Sequence, residues 1–316
     1  MDVQGRLVTF GETMGLFAAS RTGRFGLERN FSLGIGGAES NVAIQAARLG
    51  APVTWFGRVG LDSAGDLIGR LLIAEGIETI AIRDPGFTGL MVKHERFAGS
   101  SHVDYHRAGS AGSRLSPSDI PTDKVHAAGI LHLTGITPAL SPRARATAFE
   151  AVEIAQGAGV TVSFDINYRR KLWAADEAAP VLKDLVARSN IVFAGRDEAN
   201  LVTGEHSTAG AGAAEHLSRL GGEEVILKDG ARGCFAVVAG SVHRRSALSV
   251  AVVDPVGAGD AFVGGYLADR LLGEDVETRL LTAIKAGGLA VSVPGDCENL
   301  PYRSDVMTVG GDDVSR

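Results

Sequence analysis

Cysteine is nearly absent. Cys234 and Cys297 are the only two in 316 residues, too few for a disulfide scaffold in a chain of this length and in keeping with a reducing compartment. An excess of positive charge is missing as well: 31 Lys plus Arg stand against 37 Asp plus Glu, for a net charge of -6. Nothing therefore draws the chain as a whole to nucleic acid or to an acidic membrane, and an anionic ligand must be held by locally placed groups. No stretch reaches the ~18 consecutive apolar residues of a membrane span, and the first ten residues lack a basic segment followed by a long apolar one. The expectation is a soluble cytoplasmic protein with neither nucleic acid nor membrane as partner. Chemical signatures are missing too. No Gly-Lys pair exists, which removes the Walker A loop, no G-x-G-x-x-G/A follows a strand, and H-E-x-x-H and G-x-S-x-G are absent.

What the chain has is glycine, 42 residues of it, with 45% hydrophobic and 22% charged residues, enough to bury a substantial core. Short β-branched runs alternate with longer Ala/Leu segments, as a mostly parallel sheet flanked by helices requires. Strands are expected over 7–10, 53–59, 130–133, 160–164, 191–193, 225–227 and 234–238, and helices over 38–49, 64–75, 142–156, 209–220, 259–271 and 277–291. Ala38, Val42, Ala46 and Leu49 share one helical face, and Gly50 follows where a left-handed cap belongs. Residues 90–97 and 102–107 instead alternate like half-exposed strands joined by a Gly-Ser turn. With 31–35 they read either as a small antiparallel sheet standing off the main one, as an active-site cover does, or as an ordinary surface hairpin. No repeat or Pro-rich linker divides the chain. One domain over 1–316 with a small extension is preferred to two domains.

The segment most suited to chemistry is Asp254-Pro255-Val256-Gly257-Ala258-Gly259-Asp260-Ala261-Phe262, which leads from the β-branched run 250–253 into an apolar helix. Small residues just before a helix expose its first N–H groups, and the turn then offers an anion site at the positive end of the dipole. Asp260 falls in that first turn, where backbone N–H groups would keep it ionised. A carboxylate beside an anion hole suits a base that takes a hydroxyl proton while amides hold a transferred phosphoryl group. Equally, spacing alone permits a capped helix start with Asp260 complementing the dipole.

Together, Gly36-Gly37-Ala38-Glu39-Ser40-Asn41-Val42-Ala43 and the 254–262 segment resemble the two signatures of the ribokinase-like (PfkB) sugar kinases, in order and spacing, over essentially the whole chain. The resemblance implies an α/β ribokinase-like three-layer sandwich with a mostly parallel central sheet and a small β-sheet lid from about 12–35 and 88–108. It implies ATP and Mg²⁺ as cosubstrates, phosphorylation of a primary hydroxyl, Asp260 as base, and Gly257, Ala258 and Gly259 as the anion hole. The segments at 105–111, 135–142 and 165–173 resemble, more narrowly, the family's 2-keto-3-deoxygluconate kinase group. That likeness implies sugar-acid contacts from Gly37, Tyr105, Arg107, Ile136 and Arg169, with Met91 where the group often has a further lid aromatic.

Strand alternation puts Tyr105 and Arg107 on one side and His102, Asp104 and His106 on the other. A phenol and a guanidinium there would grip a carboxylate or keto oxygen, the alternative for Arg107 being a solvated edge-strand charge. His102 and His106 read as exposed surface rather than a metal pair. Asp165, Asn167 and Arg169 follow a strand end, where parallel sheets bind ligands; Arg169 contacts substrate or braces Asp165, while Arg170 and Lys171 are expected in solvent. For the nucleotide, the resemblance assigns Lys228, Gly230 and Gly233 to a loop over the ATP phosphates, a plain hairpin turn being the local alternative. Glu198 fills the last position of the family's N-x-x-E motif and would organise Mg²⁺ through water, while Gly195 replaces the Asn. By resemblance alone, a monovalent cation is placed near Asp254 and Gly295. A lid of two or three strands cannot bury both faces, so a homodimer through the lid is expected. Two rival readings stay open: a kinase of a neutral sugar such as fructose or ribose, and a non-catalytic sugar-binding regulator on the same fold.

Overall fold

The alternating pattern resolves into two sheets in the computed structural model, which describes residues 5–26, 30–97, 101–205 and 210–309. The strands are β1 (Leu7–Phe10), β2 (Met14–Ala19), β3 (Phe31–Gly36), β4 (Val53–Gly60), β5 (Glu78–Asp84), β6 (Leu90–Glu95), β7 (Ser101–His106), β8 (Ile130–Thr134), β9 (Thr161–Asp165), β10 (Ile191–Gly195), β11 (Glu224–Lys228), β12 (Cys234–Val238) and β13 (Ser241–Arg245). The helices are α1 (Ala38–Arg48), α2 (Ser63–Ala74), α3 (Thr122–His126), α4 (Thr137–Leu140), α5 (Pro142–Gly157), α6 (Ala175–Ala187), α7 (Arg196–Thr203), α8 (Gly210–Ser218), α9 (Ala258–Leu271), α10 (Val276–Ala290) and α11 (Arg303–Thr308).

The nine-stranded sheet runs β13-β12-β11-β10-β9-β8-β1-β4-β5, parallel from β5 to β11 and closed by the antiparallel β12 and β13. Helices cover both faces, so successive strand residues feed opposite cores. Ile191 and Phe193 enter the layer built with α1, α2, α9 and α10, whereas Val192 and Ala194 enter the one built with α5 to α8. This is the α/β sandwich that the resemblance implied.

Three strands escape the local pattern, as do the short helices and the longer α6. β2 has the sequence MGLFAA, without a β-branched residue, yet it is an inner strand of the second sheet, β3-β2-β6-β7. β5 and β13 are strands at the two edges of the large sheet. In α6 the internal Pro180 masks a clear helical period, since Ala178, Leu182, Leu185 and Val186 share its buried face. The β-branched run at 250–253 joins neither sheet. The Gly-Ser turn between β6 and β7, and Ala209 at the start of the expected 209–220 helix, lie outside the described residues.

In the second sheet, Met14 and Leu16 of β2 and Met91 of β6 form a small inner cluster with Ala18 and Val103 beside it. The cross-strand register places Lys93 and Tyr105 on that same inner face. Phe17, Phe31 and Leu33 alternate onto the outer face, 38%, 37% and 57% exposed.

Candidate active site

β1 has β4 on one side and β8 on the other, and the strand order runs outward from it in both directions. Where the order reverses, the loops leaving the strands' carboxyl ends part and open a crevice. Glu12 after β1, Ile136 after β8, Asn167 to Lys171 after β9, Glu198 after β10 and Lys228 at the end of β11 all line one cleft of 1530 Å³. That exceeds the roughly 300 to 1,000 Å³ of a single-ligand pocket, leaving room for two substrates side by side. Met14, Met91 and Tyr105 of the second sheet line it as well.

Asp260 lies on the cleft wall in the first turn of α9, only 9% exposed. Gly257 caps the helix at φ +79°, where a Cβ would sit 2.7 Å from the Asp296 carbonyl oxygen, so the turn accepts glycine alone. Gly257 and Gly259 line the cleft; Ala258 between them does not. Asn41 of α1 donates Nδ2–H to Asp260 Oδ2 at 2.9 Å and to Asp296 Oδ1 at 2.8 Å. Burial raises the pKa of Asp260 above the ordinary carboxylate value, against the Asn41 hydrogen bond and the charges of Arg169 and Lys228. The sequence pointed to N–H groups holding Asp260 ionised; among the described residues its carboxylate accepts instead from the Asn41 side chain, and desolvation outweighs that bond, which makes the group a better proton acceptor.

Lys228 Nζ donates to both oxygens of Asp165, at 2.8 and 2.6 Å. Burial opposes its charge, but Asp165 and Glu198 together hold its pKa above normal. A Cβ built on Gly259 would come within 3.7 Å of Lys228 Nζ, so this ammonium stands beside the turn that starts α9. Gly230 lines the cleft; Gly233 does not, and its N–H instead closes a turn on the Gly230 carbonyl at 3.0 Å. Glu198 accepts from the Tyr168 N–H at 2.9 Å and the Gly195 N–H at 2.6 Å, and burial raises its pKa. Gly195 thus contributes its backbone where the family motif has a side chain.

On the other side, Gly37 begins α1 where a Cβ would drive into the Glu12 carbonyl oxygen. Ile136 is buried against the cleft, and Tyr105 is half exposed over it. Arg107 departs from its expected freedom. Its guanidinium forks onto the buried Glu12, Nε at 2.7 Å and Nη2 at 2.5 Å from Oε2, while Ser110 holds the other carboxylate oxygen. The sequence did not single out Glu12, and with this pairing Arg107 is neutralised rather than waiting for an anion. Arg169 differs: Lys228 takes Asp165, and no carboxylate among the described residues pairs with Arg169. Arg170 and Lys171 are exposed, as expected, and both also line the cleft, with Lys171 Nζ 5.9 Å from the Tyr105 ring centre. His102 pairs with Asp104 on the exposed side, as surface residues do.

A family model described as pfkB family carbohydrate kinase matches residues 4–303. The chain belongs to that family. It is 37% identical to the 2-dehydro-3-deoxygluconokinase of Bacillus subtilis over 95% of this chain and 94% of the relative. The crystal structure of the 2-dehydro-3-deoxygluconokinase from Thermotoga maritima superposes with a TM-score of 0.88 at 27% identity, covering 96% of this chain and 97% of that one. A putative ribokinase II from Escherichia coli, solved with ATP and Mg²⁺, gives 0.89 at 26% identity over 96% and 98% of the two chains. Among the described residues no helix is long and apolar enough to cross a membrane.

The kinase cleft carries its own pH signature at Asp296, whose pKa burial and the charge of Asp260 push up to about 7 from 3.8. The folded chain keeps a proton here that the unfolded chain has released, so the contribution to stability is full below pH 3.8 and is lost as pH rises to about 7. Asp296→Asn should remove a fall in unfolding free energy of up to about 1.4 kcal/mol per pH unit across that window. Urea titrations at stepped pH check this; parallel slopes in wild type and variant would count against it.

Proposed function

We propose that this carbohydrate kinase transfers the terminal phosphoryl group of ATP to the primary hydroxyl of 2-keto-3-deoxygluconate. The observation that carries the reading is one cleft holding both a buried carboxylate at an open helix start, Asp260, and a guanidinium, Arg169, that makes no ion pair with a carboxylate among the described residues. The names of the similar kinases point the same way. Asp260 Oδ accepts the proton of the sugar hydroxyl, the N–H groups after Val256 hold the phosphoryl oxygens, and Arg169 with Tyr105 orients the acid end of the sugar. The second sheet acts as the lid, drawn from about 12–35 and 88–108, and excludes water from the transfer.

Few side chains are available to hold a metal. Among the described residues no three carboxylate, histidine or cysteine groups converge, Asp165 is occupied by Lys228, and Glu198 by backbone. This donor set fits Mg²⁺ that arrives on ATP and keeps several waters, with Glu198 meeting that water shell. Bound there, Mg²⁺ supplies charge neutralisation for the phosphates. A coupled ADP-release assay over acidic and neutral sugars tests the whole reading. The capture of Arg107 by Glu12 favours the neutral-sugar rival, because it removes one of two carboxylate readers; equal turnover of fructose or ribose would decide for it.

We also infer a homodimer through the lid. The exposed outer residues Phe17, Phe31 and Leu33 form an apolar face that water penalises. Sedimentation at micromolar concentration should give a dimer, and Leu33→Asp should shift it to monomer; a fully active wild-type monomer would contradict the inference.

A further inference from the structure

Lys93 is a lysine almost wholly withdrawn from water, 8% exposed, on the inner face of lid strand β6. Its Nζ pairs with Asp254 and donates to the Gly295 carbonyl oxygen at 2.9 Å, reaching across 161 and 202 residues of sequence. Asp254 is itself buried, 6% exposed. Its carboxylate accepts from the Val256 N–H at 3.2 Å and the Gly295 N–H at 3.3 Å. Val256 is the residue before Gly257, so the chain of contacts runs from the lid ammonium through Asp254 into the turn that starts α9. On its other side that turn packs close to the Asp296 carbonyl, next in sequence to the Gly295 that holds Lys93.

The geometry points to Lys93 as a tethered monovalent cation that sets the anion-hole turn, so that this enzyme needs no free potassium. The inference rests on the kinase reading given above. An ammonium and a potassium ion are similar in size and charge, and the atoms around Nζ, a carboxylate oxygen and a main-chain carbonyl, are the oxygen donors either would accept. Without the lysine, Asp254 is left as a buried carboxylate with no counter-charge, a costly state that an external cation of the right size relieves. Lys93 touches no reacting atom. It is a positioning residue, and being on the lid it makes an ordered turn depend on a closed lid.

In the wild-type enzyme, activity and thermal midpoint should be the same in potassium, sodium and tetramethylammonium chloride at matched ionic strength. Lys93→Met should lower kcat about 10- to 100-fold with little change in nucleotide KM, as expected for a displaced catalytic turn. Potassium or ammonium should then restore about tenfold of that loss and raise the variant's thermal midpoint, while tetramethylammonium, too large to enter, should do neither. Adding Asp254→Asn should abolish the rescue. Lys93→Gln serves as the second variant if Lys93→Met does not fold, because its amide keeps a donor for the carbonyl without the charge. Strong activation of the wild type by potassium would overturn the inference, as would a Lys93 variant with unchanged kcat or one whose loss no cation repairs. A wild type that turns over no sugar would instead sink the kinase reading itself.

Discussion

Asp260→Asn should lower kcat by about 10² to 10⁴ while ATP binds nearly as before. The carboxylate is the only group in the first turn of α9 able to take a proton, and an amide of the same shape cannot. Asn41 can still donate to the new amide oxygen, so the fold around the site is held. Removing a negative charge from beside the phosphate site also gives no reason for weaker nucleotide binding. Steady-state kinetics with saturating ATP make the measurement. Because burial raises the pKa of Asp260, wild-type kcat/KM should climb with pH as the group deprotonates, its midpoint above that of a free aspartate, and the residual rate of the variant should lose this limb. A variant that keeps most of the wild-type kcat removes Asp260 from the chemistry.

Asp260 is legible in the amino-acid sequence whereas its supports are not, and the reason is distance along the chain. Gly257, Gly259 and Asp260 lie on one contiguous turn, and the glycine spacing is written in the sequence. Tyr105, Arg169 and Gly37 are named through the family resemblance rather than by hydrophobic period, and all three line the cleft. Asn41 reaches Asp260 across 219 residues and Asp296 across 255. Glu12 captures Arg107 from 95 residues away. Lys93 looks like one more charge on an exposed hairpin until β2 slots in beside β6 and turns it inward. Partner choice of this kind depends on the strand order of both sheets, which local pattern does not encode, so the residue types are readable and their pairings are not. Arg107 shows the consequence. Strand alternation gives its side correctly, yet its charge is already spent on a carboxylate that no local motif announces.

That loss places the substrate claim on Arg169, whose replacement should separate acid from neutral sugars. Its guanidinium lies in the cleft near enough for its charge to act on Asp260 and Asp165, and no carboxylate among the described residues pairs with it. Removing a charge-assisted hydrogen bond to a bound anion costs roughly 1.5 to 3 kcal/mol, so Arg169→Ala should reduce kcat/KM for 2-keto-3-deoxygluconate about 10- to 150-fold. A neutral sugar never made that contact and should lose far less. Lys171, over the Tyr105 ring, supplies an internal control. If it shares the carboxylate, Lys171→Ala should repeat the same selective loss on a smaller scale, whereas a purely stacking role would affect acid and neutral sugars alike. The comparison is made within each variant, as the ratio of kcat/KM for the acid to that for fructose or ribose, which cancels any general damage to the fold. The net charge of -6 works against an anionic substrate at long range, so a preference for the acid must come from cations placed in the cleft, Arg169, Arg170 and Lys171 among them. Should Arg169→Ala depress both classes equally, or should the unmodified enzyme turn over fructose or ribose as well as the acid, the sugar-acid reading fails and only the broader carbohydrate-kinase reading survives.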